Sequence, residues 1–313
     1  MKNLTQKLCI AMMLFASLNA TAQVPKLSSN PGTVSQPNPT IFLDFDGHTV
    51  QSAGWQGGTA FVCAPAALDA TQITEIFNRV SEDYRPFNVN VTTDSAAFIA
   101  APFNHRVRII VTPTSAWYQG VGGVAYVGSF NYGDDTPGFV FSDRLANSPK
   151  YVGECCTHES GHTLGLSHQS RYDSACNLTE QYRTGSGTGE TAFSPVMGNS
   201  YYRNMTGWDN GPTPSNCSTT QDNVTTIVSQ NGFGYRTDDF SENLNNTTTS
   251  VNPNGFNVQG IITTATDKDA FKFSIAQAGF IHFELAPYSV GVSNTGANLD
   301  VKLMLYNNSA TLR

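Results

Sequence analysis

The eleven residues HESGHTLGLSH, positions 158–168, constrain this 313-residue chain more than any other stretch. On an α-helix, residues four apart lie one turn apart on the same face, so His158 and His162 can aim their imidazoles at one point. Glu159 stands beside the first of them, its carboxylate placed to take a proton. Gly165 has no Cβ, which lets the chain leave the helix through a residue with φ > 0 and brings His168 back towards the same point. Three converging imidazoles suit a single zinc ion, which in a catalytic site keeps one position open for water. The competing reading is a helix that carries surface histidines. With only six histidines in the whole chain, this spacing together with a Glu and a Gly weighs against it.

The surroundings agree with an exported protein. Residues 1–22 read as a signal peptide: Lys2 and Lys7 supply the positive end, and an apolar run from residue 8 to 18 is too short to span a bilayer. Ala20-Thr21-Ala22 is a small-residue cleavage site, with Gln23 the new N-terminus, and no other stretch is apolar enough to form a membrane span. Charged residues make up 13% of the chain and the formal charge is −7, without a Lys/Arg cluster, so nucleic acid and anionic membranes are poor partners. Cleavage leaves Cys63, Cys155, Cys156, Cys176 and Cys217, an odd number for an oxidising compartment. Cys176 and Cys217, in loop-like stretches, are candidates to pair with Cys63 or with one of the vicinal two. Cys155 precedes His158 by three residues and shares its side of the helix. It reads as packing below the histidines, and one of the vicinal pair as a disulfide half.

Taken in order, residues 23–40 are rich in Pro, Ser and Asn and read as a flexible lead-in. Residues 40–45 (TIFLDF) form a short apolar strand. Helical spacing follows over 70–87, where Ile73, Ile76, Phe77, Val80 and Tyr84 share a face, Asp69 or Thr71 can cap the start and Pro86 ends it. Strands follow at 88–92, 106–111 and 138–142, with a Gly-rich edge strand at 122–130 (GGVAYVGSF). The motif helix spans 151–165. This order makes an α/β (α+β) domain, a mixed sheet packed on two helices. Asp44 and Asp46 in FLDFDGH also invite a phosphatase reading, although His48 interrupts that pattern, and a turn that satisfies backbone amides is the alternative.

After His168 regular patterns fade, and Ser194-Pro195-Val196-Met197-Gly198 stands out as a tight turn that carries a methionine. HESGHTLGLSH followed by SPVMG resembles the metzincin clan of zinc metallopeptidases, and in particular a bacterial secreted member. The resemblance covers residues 41–232. It implies His158, His162 and His168 as ligands of one catalytic Zn2+, Glu159 as general base, and Met197 as the hydrophobic floor of the site. It also makes Gly123, Val124, Ala125 and Tyr126 the edge strand against which a substrate chain pairs. Where some metzincins keep a tyrosine two residues past the methionine, this chain has Asn199, which leaves Tyr201 and Tyr202 as candidates for an oxyanion contact or a further ligand. Residues 23–40 hold neither Cys nor Asp, the residues with which the clan's pro-segments block zinc.

Past a polar linker at 233–250 the pattern changes to period two, in Phe271, Phe273 and Ile275, then Ile281, Phe283 and Leu285, then Val301, Leu303 and Leu305. Residues 251–313 thus read as a small all-β sandwich module. DDFSEN, DKDAFKFSI and NLDVKLMLY resemble part of the bacterial pre-peptidase C-terminal domain, which implies further strands beyond Arg313. Asp267, Asp269 and Asp300 are candidate Ca2+ ligands, with ordinary turn residues as the alternative. The whole reads as a secreted endopeptidase that hydrolyses protein or peptide substrates with a metal-activated water and Glu159 as base. The alternative is a surface-binding or adhesion protein with a vestigial peptidase domain, against which the retained Glu159 argues.

Overall fold

The structure is a computed structural model and describes residues 23–244, 249–291, 298–307 and 311–312. The signal-peptide reading at 1–22 falls outside the described residues, as do residues 245–248 of the polar run. Ten elements build the first half: β1 (Thr40–Asp44), β2 (His48–Val50), β3 (Phe61–Cys63), α1 (Ala70–Asp83), β4 (Asn90–Thr92), α2 (Ser95–Ala100), β5 (Arg106–Thr112), β6 (Gly123–Val124), β7 (Gly138–Phe141) and α3 (Pro149–Thr163). Five strands pair in the order β4-β1-β5-β7-β6, parallel except for β6, which runs antiparallel at the edge. The expected mixed sheet on two helices is present. All five residues of β1 are buried, as suits a central parallel strand covered on both faces.

On one face Ile41, Leu43, Ile109 and Val140 meet Ile73, Ile76, Phe77 and Val80 of α1 and Val152, Cys155 and Cys156 of α3. On the other, Ile110, Phe139 and Phe141 pack with Val50, Trp55 and Trp117. Each such side chain contributes about 1.5–3 kcal/mol when fully buried. Helix α1 starts at a full capping box, in which Asp69 accepts from the Gln72 amide and Gln72 reaches back to the Asp69 amide. Helix α3 starts at Pro149, two residues ahead of the expected 151, because a proline's fixed φ and missing N–H suit the first turn. Asp44, the residue a phosphatase reading would make the nucleophile, is buried and paired with Arg108, so its role is structural, while Asp46 is exposed.

Sequence periodicity missed β2, β3, α2 and most of the elements after His168. That region forms the hairpin β8 (Arg171–Tyr172)/β9 (Leu178–Glu180), the parallel pair β10 (Phe193–Pro195)/β11 (Met205–Gly207), the hairpin β12 (Asn210–Thr213)/β13 (Asn216–Asp222), and α4 (Asn223–Gln230). Cys176 and Cys217 pair with each other and join the two hairpins, while Cys63, Cys155 and Cys156 are buried free thiols. Neither vicinal cysteine is a disulfide half, since both point into the α1/α3 core. The lead-in is tied down rather than loose: Ser29 donates to the Val91 carbonyl at 3.0 Å and Leu27 to Thr93 Oγ1 at 2.9 Å.

Beyond residue 250, the described residues form isolated bridges, Ser250–Lys272 and Tyr306–Leu312, and no strand ladder. Ile275, Leu285, Leu303 and Leu305 are exposed, and no sheet covers them among the described residues. Asp267 and Asp269 gather with Asp238, whereas Asp300 is not in that group. Asp267 accepts from the amide and hydroxyl of Thr263, as a turn aspartate does. This segment also touches α1 and its surroundings. Tyr288 donates to Asn78 Oδ1 at 3.0 Å and lies under Arg85, and Asn298 reaches a buried acidic cluster between α1 and α3. There the backbone N–H of Asn298 donates to Glu82 Oε1 at 2.9 Å and its side chain donates to Asp83. Burial pushes the Glu82 carboxyl up to about 7, and burial together with mutual repulsion raises Asp83.

Candidate metal centre

Helix α3 carries His158 and His162 one turn apart, with ring centroids 4.8 Å from each other. The helix then ends in a Schellman turn, in which Leu166 donates to the Gly161 carbonyl at 3.0 Å and Gly165 to that of His162 at 2.9 Å. Gly165 sits at φ 99°, where a Cβ would also lie 2.7 Å from Gln230 Oε1. The turn returns His168 to 4.8 Å from the His162 ring and 5.3 Å from that of His158. One nitrogen from each imidazole falls within a common 4.8 Å.

Hydrogen bonding sets which nitrogen faces inward. His158 Nδ1 lies 2.8 Å from the Val196 carbonyl and His162 Nδ1 lies 2.7 Å from that of Leu166. A carbonyl only accepts, so both Nδ1 atoms carry hydrogen and each neutral ring presents a bare Nε2 lone pair. His162 Nε2 lies 3.1 Å from His168 Nε2. Nitrogens bound to one tetrahedral zinc at 2.0–2.1 Å stand about 3.3 Å apart, so this pair fits the ion, with the His158 nitrogen inside the same 4.8 Å cluster. Burial holds all three rings below the usual histidine range, and neighbouring imidazoles add to this for His158 and for His168, which is down to about 4; the rings are thus kept neutral, as ligation requires.

The turn at 194–198 braces the triad from below. Val196 supplies the carbonyl that orients His158, and the carbonyl of Met197 accepts from the amide of Gln169, next to His168, at 2.8 Å. The Met197 side chain is fully buried against Gly161, where a Cβ would come within 2.6 Å of its sulfur. Gly161 is therefore what lets the methionine lie under the histidine helix. Asn199 stands aside, its amide bonded to the Arg183 carbonyl.

Glu159 projects towards the sheet edge. It is 5% exposed, and its Oε2 has no hydrogen-bond partner among the described residues. Burial pushes its carboxyl up to about 8. A Cβ on Gly123 of β6 would stand 2.7 Å from Glu159 Cγ and Oε1, so only a glycine fits there. An acid without a partner, held beside three converging imidazoles and under an open strand edge, has the make-up of a hydrolytic centre.

Residues 109–230 match the family described as Metallo-peptidase family M12B Reprolysin-like. The match runs from within β5 to the end of α4 and contains the triad, Glu159 and Met197. These residues form a reprolysin-like metallopeptidase domain. No curated protein matches the chain.

In the peptidase domain the expected edge strand is much shorter than 122–130. Only Gly123 and Val124 pair with β7, and the chain then curls into a 3-10 turn at Ser129–Asn131. Gly128, at φ 79°, donates to the carbonyl of His162, and this contact with α3 draws the chain away from the sheet. Ala125 and Tyr126 thus lie past the strand, and the Tyr126 hydroxyl donates to the Gly54 carbonyl at 2.5 Å. The tyrosines differ from expectation as well. Tyr202 is 72% exposed, and Tyr201 packs on Tyr151 with its hydroxyl towards Cys155.

The tyrosine at the triad is Tyr182, which sequence reasoning missed. Its ring lies 4.2 Å from that of His168 and 6.3 Å from that of His158. Burial and the nearby Glu159 carboxylate push its phenol above the usual tyrosine range, so it stays protonated. Beside His162 and His168 opens a cavity of about 390 Å³ walled by Val127, Ser167, Pro214 and Ser215. Pro214 and Ser215 form the tip between β12 and β13, close to the disulfide at Cys217. Among the described residues no helix is long and apolar enough to cross a membrane.

Proposed function

We propose that this protein is a secreted zinc endopeptidase of metzincin type, with His158, His162 and His168 holding one ion. The observation that carries the reading is the bare Nε2 atoms of His158 and His162, fixed by backbone carbonyls and directed at a third imidazole. Zinc supplies Lewis acidity there, polarising a carbonyl and lowering the pKa of a water towards ~7. The remaining work falls to the chain. A substrate backbone lies extended along the free edge of β6, where Gly123 leaves room for its close approach to Glu159. Glu159 takes the proton of the attacking water and delivers it to the leaving amine. Its environment suits both halves of the exchange: burial makes the carboxylate a stronger base, and no neighbour competes for Oε2.

Export follows from the charged and apolar pattern of residues 1–22, and the Cys176–Cys217 disulfide agrees with an oxidising compartment. The segment past residue 250 is then an accessory β module of a bacterial exported peptidase. Cleavage of casein or of a mixed peptide library by the purified protein, sensitive to chelators and absent in Glu159→Ala, tests the function. Equal proteolysis by the two proteins would exclude Glu159 as the base, and inertness of both towards every peptide would favour a binding protein.

A further inference from the structure

We propose that Tyr182 is a further catalytic residue, whose phenol donates a hydrogen bond to the scissile carbonyl oxygen as that oxygen takes on negative charge. This rests on the peptidase reading and adds to it a donor that the histidine motif does not contain. Peptide hydrolysis passes through a tetrahedral species with charge on the former carbonyl oxygen. A donor already in place where that charge develops lowers the barrier more than one that must reorganise.

Tyr182 meets the structural requirements. Its ring rests on His168 and faces His158, yet the residue is 41% exposed, so it stands at the mouth of the site. Its backbone is held from both sides. The carbonyl of Gln181 accepts from Ser170 Oγ at 2.7 Å, and Arg183 donates to the Gln169 carbonyl at 2.8 Å. The Arg183 carbonyl in turn accepts from the Asn199 amide at 2.9 Å, and the Arg183 guanidinium pairs with Asp209 at 2.5 Å. Gln169 and Ser170 directly follow His168, so these bonds fix Tyr182 relative to a ligand. With the backbone held in this way, the contact of the ring with His168 restrains the side chain relative to that ligand.

Four other groups near the triad do not fill the role. Glu159 as a carboxylate only accepts, and Met197 has no hydrogen to donate. The Tyr201 hydroxyl is turned to Cys155, and that of Tyr126 is engaged by the Gly54 carbonyl. Tyr182 keeps its proton throughout, so no bond is made or broken at the phenol.

The test compares full-length, zinc-loaded wild type with Tyr182→Phe, which keeps the ring on His168 and removes only the hydroxyl. Tyr182→Leu serves as a variant that loses the ring. The readouts are kcat and KM on a fluorogenic peptide, inhibition by a phosphinic peptide of the same sequence, and zinc content. Tyr182→Phe is expected to lower kcat about 10²-fold with KM within about threefold, and to weaken the phosphinic peptide by a similar factor at unchanged zinc stoichiometry. A kcat within about threefold of wild type would overturn the proposal, as would a loss confined to KM, which would make the ring a substrate wall. Loss of zinc from Tyr182→Phe would also overturn it, because the hydroxyl would then serve His168. If Tyr182→Leu loses zinc while Tyr182→Phe keeps it and loses kcat, the ring and hydroxyl roles separate as proposed. A zinc-bound wild type that cleaves no peptide would sink the peptidase reading itself. An active wild type matched by Tyr182→Phe would sink this proposal alone.

Discussion

Replacing Gly123 with alanine isolates the contact between the sheet edge and Glu159. The added Cβ would lie 2.7 Å from Glu159 Cγ and Oε1, and 2.7 Å from the backbone oxygen of Phe139 across the β6–β7 pair. Ordinary contact begins at 3.4 Å, so about 0.7 Å must be found on both sides. Peeling β6 from β7 would cost about 1–3 kcal/mol, the usual range for an overpacked core site. Glu159 is the softer partner, since its Oε2 has no hydrogen bond to break. The carboxylate therefore gives way, and a displacement near 1 Å at a reacting group lowers the rate about 10²-fold. The predicted outcome for Gly123→Ala is a fall of that size in kcat/KM, with zinc content unchanged because no ligand is touched. Gly234→Ala is the control, because a Cβ there meets nothing within 4 Å. Steady-state kinetics with metal analysis on both variants decide the matter. Wild-type turnover by Gly123→Ala would refute the placement of Glu159 as the working base beneath this strand.

Three other perturbations probe the same molecule. The folded chain holds Glu82 near 7 against an ordinary 4.5, so the folded state binds the extra proton; this stability is full below about pH 4.5 and lost as pH rises through 7. On the order of 3 kcal/mol is involved, and urea midpoints at about pH 5 and pH 8 should differ less in Glu82→Gln than in wild type. Changing both Cys176 and Cys217 to serine opens a link across 41 residues. The loss should approach about 4 kcal/mol and broaden the side-chain preference beside Pro214 and Ser215, as read by cleavage profiling. Met197→Ala should cost about 2–5 kcal/mol in unfolding free energy and weaken zinc binding in a competition titration, as the Val196 carbonyl loses its backing under His158.

How legible these features were in the sequence depends on how far each contact reaches. Ile73, Ile76, Phe77 and Val80 repeat with the helix, so their shared face could be read directly. The triad was legible because a helix turn and a glycine turn, both local devices, place all three imidazoles. Met197 stood out only in company with the histidines, and its seat under Gly161 is a contact between distant segments. Tyr182 carried no signal, since it lies in a stretch without periodicity and is placed by the backbone bonds that its neighbour Arg183 makes to Gln169 and Asn199. The edge strand was overestimated for the same reason: its residues suit a strand, but Gly128 finds the His162 carbonyl. Composition likewise cannot pair cysteines, and the Cys176–Cys217 link depends on how two hairpins meet. Past residue 250, alternation indicates two-faced segments but does not supply the partner strands that would cover Leu303 and Leu305.

The most direct test of the central claim is a zinc titration of chelator-stripped protein, with peptide cleavage and bound metal followed together. The structure predicts that hydrolysis rises from zero to a plateau at one equivalent. Glu159→Gln should bind the same single equivalent and cleave at least about 10²-fold more slowly. Hydrolysis by the metal-free protein, or full activity in Glu159→Gln at one equivalent, would contradict the assignment of these three histidines and this carboxylate as a zinc peptidase site.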